Sequence, residues 1–370
     1  MKLTDLASYE IVPSSRTEEW NDWIARLPQR DIYYTAEYAR LYEVEGGEAE
    51  GEQKAELFVF RQGSRLVVYP YLLRAVNHLP AVRTLGLPGD WYDISSPYGY
   101  GGPISNLPPG REREALMIAF SDAFFEYARE RRILTEFVRF HPLLGNARDY
   151  AGVETRLSRH TASIDLRGQS EAGLLEHYCS NHKKNVRKFR SSPLTIRHTS
   201  PGERMDTFIE LYYGTMQDLQ ADPFYYFPRP FLHNTARLLA GRLELFEVCH
   251  GEETVAACLV MHEHPFMHYH LSGWNRDYLH WAPTKLLIHA AALWGIEHGF
   301  EQFHLGGGYR GDDRLFDFKK GFGTHLPPLE YYLGRRVFFP ELYDRLRSEL
   351  GGGADLGEYF PLYRHPALCH

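Results

Sequence analysis

Apolar side chains recur at helical spacing in TEEWNDWIARL, where Trp20, Trp23, Ile24 and Leu27 fall on one face. AEYARLY predicts a second, short helix, and the polar, glycine-rich EGGEAEGEQ reads as a surface loop. The pattern then switches to strands: AELFVFRQGSRLVVYPYLL is a hairpin turning at Gln62-Gly63. A long aromatic loop, WYDISSPYGYGGPISN, precedes an amphipathic helix from about Arg111 to Arg131 and a strand, ILTEFVRF. The second half repeats this order. ERMDTFIELYYGTMQDL and PFLHNTARLLA are helical, RLELFEVC and TVAACLVMH form a hairpin about HGEE, and PFMHYHLSG is a third strand. A helix, PTKLLIHAAALWGIEHG, follows, with Pro283 in its first turn and Gly299 past its end. EQFHL is a strand, DRLFDFKKG a short helix and PLEYYLG a last strand.

Two halves of one element order predict an α+β chain of two domains, the first over residues 1–160 and the second over 161–340, with a helical then irregular tail over 341–370 that loses order at GGGADLG. The length of 370 residues suits two domains, and an apolar fraction of 44% supplies their cores. The net charge of −7 leaves no global basic field for a long nucleic acid, so any such contact must be local. The four cysteines, at 179, 249, 258 and 369, fit no zinc spacing and are expected as reduced thiols. MKLTDLASYE lacks the apolar stretch of a signal peptide, and no apolar run approaches the ~20 residues of a membrane span. A cytoplasmic protein with no integral membrane contact is expected.

Four stretches could carry chemistry. HLGGGYRGDDRLFDFKKGFG, from His304 to Gly323, matches G-x-G-x-x-G at Gly306, Gly308 and Gly311. The short, acidic helix start after it would repel a pyrophosphate, so a dinucleotide site is disfavoured, and Gly308 and Lys319 lack the spacing of a Walker loop. Asp312 or Asp313 reads as a helix N-cap, and Leu315, Phe316, Phe318 and Phe322 as apolar contacts beside Lys319. ISSPYGYGGP has the composition of a ligand-site wall or of an ordinary turn-rich connection, with Asp90 and Asp93 flanking it. NHKKNVRKFR stacks Lys183 on Arg187 and Lys184 on Lys188, like charges that cost a helix unless phosphates face them. MHEHPFMHYH carries His262, His264, His268 and His270, but a hairpin tip between the two H-x-H pairs sets them apart, so no metal is expected. Alternation places His270 and Ser272 on one face and Tyr269 and Leu271 on the other.

Taken together, YHLSGWNRDYLHWAPTKLLIHAAALWGIEHGFEQFHLGGG, the closing LFDFKKGFG, SPYGYGGP and NHKKNVRK resemble, in order and spacing, the Fem family of aminoacyltransferases and its relatives in the GNAT superfamily. The resemblance covers about residues 20–335. It implies two tandem GNAT-like domains, each a mixed, mostly antiparallel sheet flanked by helices. It also implies transfer of an acyl group, usually an aminoacyl group from aminoacyl-tRNA, to a free amine of a cell-wall, polysaccharide or natural-product precursor, with no cofactor. The lysine of the family's F-K-x-x-F-G element maps onto Lys319 as a catalytic residue. Asp93 and His270 are the candidates for the proton acceptor; Tyr98, Tyr100, Gly101, Tyr225, Tyr226, Tyr269, Ser272 and Arg310 for substrate contact; and Lys183, Lys184, Arg187 and Lys188 for tRNA contact. CoA-using GNAT domains carry a glycine-rich loop before the helix that holds pyrophosphate; NRDYLHWAPTK has no glycine, which favours tRNA over acyl-CoA as donor. An acyl-CoA-dependent N-acyltransferase and a non-catalytic binding protein are the alternatives.

Overall fold

The computed structural model describes residues 7–44, 51–350 and 359–368. Most of the expected glycine-rich loop (45–50), the GGGADLG tail and Cys369 lie outside the described residues. In chain order the elements are β1 (Ala7–Pro13), α1 (Thr17–Ala25), α2 (Ala36–Arg40), β2 (Gln53–Gln62), β3 (Arg65–Ala75), α3 (Pro80–Arg83), β4 (Tyr92–Ser95), β5 (Ile104–Ser105), α4 (Arg111–Glu130), β6 (Ile133–Arg139) and β7 (Glu154–Asp165). They continue with α5 (Glu171–His177), α6 (Ser180–Phe189), β8 (Leu194–Thr199), α7 (Met205–Asp218), α8 (Arg229–Leu238), β9 (Leu243–His250), β10 (Glu253–Glu263) and β11 (Phe266–Trp274). The last are α9 (Pro283–Glu297), β12 (Gln302–Gly307), α10 (Arg314–Lys320), β13 (Leu329–Val337) and α11 (Pro340–Leu350).

The chain divides into two compact units, Met1–Gln29 with Tyr33–Ser158 and Tyr331–His370, and Arg30–Ile32 with Arg159–Glu330. The tail and nearly all of β13 therefore belong with the first unit, because β13 pairs with β6 from Leu333↔Arg139 to Val337↔Thr135. The expected second domain ended ten residues later.

Each unit repeats one design. In the first, the hairpin β2–β3 pairs antiparallel with β4, and β4 is parallel to β6 after the crossover helix α4. In the second, the hairpin β9–β10 pairs with β11, and β11 is parallel to β12 after α9. The pairings β1–β2, β3–β5, β6–β13, β7–β12 and β8–β9 are antiparallel, so both units are α+β with mostly antiparallel sheets. The crossover helices lie on their sheets through their apolar faces. Leu116, Phe120 and Phe124 of α4 pack on Phe58, Tyr69 and Val138, while Leu287, Ala291 and Ala292 of α9 pack on Val260, Met267 and Phe303. A full burial of such side chains contributes about 1.5–3 kcal/mol each. Gly295 of α9 sits where a Cβ would lie 2.8 Å from Leu166 Cδ1 and press on Met267 Sδ, so this helix–sheet contact needs glycine.

Five strands escaped the hydrophobic pattern: β1, β7 and β8, and the short β4 and β5 inside the stretch expected as a long loop. The first half of β7 is exposed and polar, so it shows no alternation. The first hairpin turns at Gly63-Ser64, one residue later than expected, since Gln62 pairs with Arg65. Cys179, Cys249 and Cys258 are free thiols. Among the described residues no helix is long and apolar enough to cross a membrane.

Candidate functional site

The triple glycine ends β12 and lets it pass close to β7. A Cβ on Gly307 would lie 2.7 Å from the His160 carbonyl oxygen, and one on Gly308 would collide with Asp313 Oδ1 and the Gly311 carbonyl. Asp313 then folds the loop. Its two carboxylate oxygens accept the N–H groups of Tyr309 (2.8 Å), Arg310 (2.8 Å), Leu315 (2.9 Å) and Phe316 (3.1 Å), which makes it the N-cap of α10. Burial alone would raise the Asp313 carboxyl, but these four amide bonds hold it below its ordinary value. Asp312 plays a different part, taking the His160 N–H (3.0 Å) and Nδ1 (2.6 Å).

Over the length of α10 the chain returns to the strand end. Lys319 Nζ donates to the Gly307 carbonyl at 2.8 Å. Burial depresses this amine to about 8, with Asp313 opposing the shift and Arg159 adding to it. Arg159, at the start of this unit on β7, donates from Nη1 to the carbonyls of Gly308 (2.8 Å) and Tyr309 (3.3 Å). Tyr225 packs against Tyr309 with ring centres 5.4 Å apart and the planes tilted by 50°, and the Arg159 charge reaches its phenol. Arg310 is exposed, with its guanidinium 5.7 Å from the Tyr309 ring centre. The structure thus gathers Lys319, Arg310 and Tyr225 around one loop, while Tyr226 lies exposed beside Tyr213. Sequence reasoning missed Arg159, Tyr309 and Asp313's fourfold role; the signal for Asp313 was its N-cap position, and for Arg159 there was none. Leu315, expected to pack, is exposed, whereas Phe316 and Phe322 are buried.

On the neighbouring strand the expected alternation fails. The register of β10 against β11 slips between Leu259↔Leu271 and Val260↔Tyr269, leaving His270 as the extra residue of a bulge. Ser272 therefore pairs with Cys258 and Tyr269 with Val260, both core-facing partners, so Tyr269 and Ser272 share the core side and Leu271 faces the other. Burial pushes the Tyr269 phenol up and brings His270 down to about 4, the latter helped by His268, so His270 is neutral near pH 7. Parallel pairing of β11 with β12 stops at His268↔His304 although both strands run on, and Lys319 reaches the β12 side of that opening. The other histidines go to separate partners: His262 to Glu244 (3.4 Å), His264 to the Gly299 carbonyl (3.0 Å) and His268 to Asp31 (2.7 Å).

Asp93, Tyr98, Tyr100 and Gly101 lie in the first unit. Asp93 is fully buried on β4 between Arg74 (2.7 Å) and Arg364 (2.5 Å). Burial pushes its carboxyl up, but Arg364 and Arg74 outweigh this and hold it below the carboxylate range. A carboxylate so placed is a poor proton acceptor; its geometry is that of a structural ion pair. The SPYGYGGP loop is latched from behind. Tyr38 donates to the Tyr98 carbonyl (2.6 Å), and Tyr34 (3.0 Å) and Asn146 Nδ2 (2.8 Å) to the Gly101 carbonyl. Tyr98 and Tyr100 are left half-exposed, and the Tyr100 ring meets Tyr33 at 5.2 Å. In the second unit, α6 presents Lys184, Arg187 and Lys188 to solvent, while Lys183 turns back to the Glu176 carbonyl (3.2 Å). Lys188 lies 4.9 Å over the Trp281 ring.

Residues 177–320 match the model of an acetyltransferase (GNAT) domain. No curated protein matches the sequence. Among solved structures, FemX is similar over 91% of this chain and 99% of its own, at 14% identity and a TM-score of 0.66. L-PGS from Bacillus licheniformis is similar over 91% of this chain and 97% of its own, at 13% identity and a TM-score of 0.52. The C-terminal domain of a provisionally named lysylphosphatidylglycerol synthetase from Agrobacterium fabrum is similar over 87% of this chain and 92% of its own, at 15% identity and a TM-score of 0.52. At these identities the likeness establishes the fold. The matched stretch is of GNAT acetyltransferase type. The overall fold is similar to that of FemX, and the matched domain lies in the second unit.

Proposed function

We propose that the protein transfers an aminoacyl group from aminoacyl-tRNA to a free amine on a small-molecule or precursor acceptor. The amine nitrogen attacks the ester carbonyl, the C–N bond forms, the C–O bond to the ribose breaks, and the ribose hydroxyl leaves with a proton. The ester is already activated, so much of the acceleration comes from holding the two reactants in register. Protonated Lys319, at the strand end, supplies a cation for the developing oxyanion. His270, held neutral, is the proposed hydrogen-bond acceptor that orients the attacking amine, whose proton passes to the leaving ribose oxygen. The half-exposed tyrosines of the SPYGYGGP loop and the exposed lysines of α6 are the proposed acceptor and tRNA contacts, respectively.

One observation carries the choice of donor. An acyl-CoA is held by free backbone N–H groups ahead of a helix. Ahead of α9 several of those groups are engaged locally. Asn275 Oδ1 takes the Asp277 N–H (3.1 Å), the Asn275 carbonyl takes that of Tyr278 (3.2 Å), and the Leu279 carbonyl takes that of Ala282 (2.9 Å). Pro283, at the first helical position, has none. The matched acetyltransferase model favours the second reading, an acyl-CoA donor.

The test supplies purified protein, a panel of amines, and either charged tRNA or acyl-CoA. Product from charged tRNA, abolished by RNase, is expected. Product from acyl-CoA alone, insensitive to RNase, overturns the reading in favour of the second.

A further inference from the structure

Arg159 is a half-buried guanidinium that the fold leaves without a carboxylate. Its Nη1 serves two carbonyls, its Nε is buried with no hydrogen-bond partner, and no acid among the described residues forms an ion pair with it. Asp312, which feels its charge, is engaged by His160, and Asp313 by four amides. A second cation, Lys319, stands close enough that Arg159 weakens its hold on a proton. Two converging cations with no dedicated counter-charge disfavour each other unless an anion joins them. The Nε–Nη2 edge of a guanidinium is the side that takes a phosphate with two parallel bonds. Beside it, Tyr309 is 40% exposed and backed by Tyr225, a surface of the kind on which bases stack.

We propose that Arg159 and Tyr309 seat the terminal nucleotide of the acyl donor, with its phosphate on the guanidinium and its base on the tyrosine. The assignment rests on the tRNA reading and deepens it. In an aminoacyl-tRNA the reacting ester sits on the same ribose as the nearest phosphate, so a phosphate-binding cation belongs beside the cation that serves the carbonyl. In an acyl-CoA the whole pantetheine arm separates the thioester from the pyrophosphate, and two adjacent cations could not serve both. Binding of the phosphate returns Lys319 toward its charged form, which is the form the oxyanion needs.

The test uses adenosine 5′-monophosphate, adenosine and CoA as probes on the full chain. Lys319 is followed by the pH dependence of its labelling with trinitrobenzenesulfonate, read by peptide mass spectrometry. Adenosine 5′-monophosphate is expected to slow the labelling and raise the pH at which it sets in; adenosine is not. In Arg159→Gln the nucleotide effect disappears and affinity falls roughly tenfold or more, the size of a lost charged hydrogen bond. Free Lys319 in that variant labels less readily, because a repelling charge has gone. Arg159→Lys, which keeps a cation but lacks the fork, guards against a folding defect: it retains the labelling onset of free Lys319 and still binds the nucleotide weakly. A nucleotide effect that survives in Arg159→Gln, or its absence from the unmodified protein, overturns the assignment. If charged tRNA nevertheless gives RNase-sensitive product, the donor reading stands without it. CoA acting where the monophosphate does not overturns both.

Discussion

Lys319 Nζ and the Gly307 carbonyl oxygen lie 2.8 Å apart, joining the last turn of α10 to the end of β12 across twelve residues of chain. The contact fixes the amine of a long, flexible side chain at a strand end and desolvates it. If that amine serves the reaction, its removal should affect rate far more than stability. Lys319→Ala is expected to lower kcat/KM by roughly 10²–10³-fold, the cost of one oxyanion-type donor. A melting temperature within a few degrees of the parent, with that loss, is the outcome to look for; turnover unchanged would return Lys319 to a structural role.

The pH dependence follows from the same residue. Lys319 is held down to about 8, so its charged form predominates below that pH and is lost above it. The kcat/KM profile should fall on the alkaline side near pH 8, and Lys319→Arg should move that limb upward, since a guanidinium stays charged. His270, down at about 4, contributes no inflection near the ordinary histidine value. An inflection near 6.5 that vanishes in His270→Gln would contradict this.

Asp93 provides the contrast. Its carboxylate is buried between Arg74 and Arg364, and Asp93→Asn should cost roughly 3–5 kcal/mol of stability, as expected for one broken partner of a buried ion pair. The folded carboxyl lies below the ordinary range, so the contribution is present above that range and fades as pH falls through the folded value. Denaturant unfolding of parent and variant at pH 7 and at pH 3 should show the gap narrowing in acid.

Gly273 of β11 lies against the backbone of α7, where an added Cβ would meet Leu211 and Tyr212 main-chain atoms. Neither strand nor helix backbone yields easily, so Gly273→Ala should destabilise by about 1–3 kcal/mol. Chemical denaturation should show a lower midpoint with an unchanged slope.

The exposed lysines of α6 test the donor from another side. Reversing Lys184 and Lys188 to glutamate should weaken binding of charged tRNA and reduce the log–log salt slope by about one for each phosphate no longer neutralised. Fluorescence titration at several salt concentrations measures it, and a slope identical to the parent's would place the RNA elsewhere.

Much of the fold was written along the chain. The apolar face of α1, the run of α9 between Pro283 and Gly299, and both hairpins follow from local periodicity and helix punctuation, which depend on neighbours a few residues away. The motif residues also led to Lys319 and to Asp313 as a cap. The tertiary structure alone decided the rest. The bulge at His270 arises from how β11 must match β10, and it moved Ser272 to the side of Tyr269. The partner that turned Asp93 from a candidate base into an ion pair, Arg364, stands 271 residues away. Arg159 gained its place only because the glycines of β12 allow that strand close to β7. Such contacts join residues distant in sequence through pairing register and burial, and neither leaves a periodic trace in the chain.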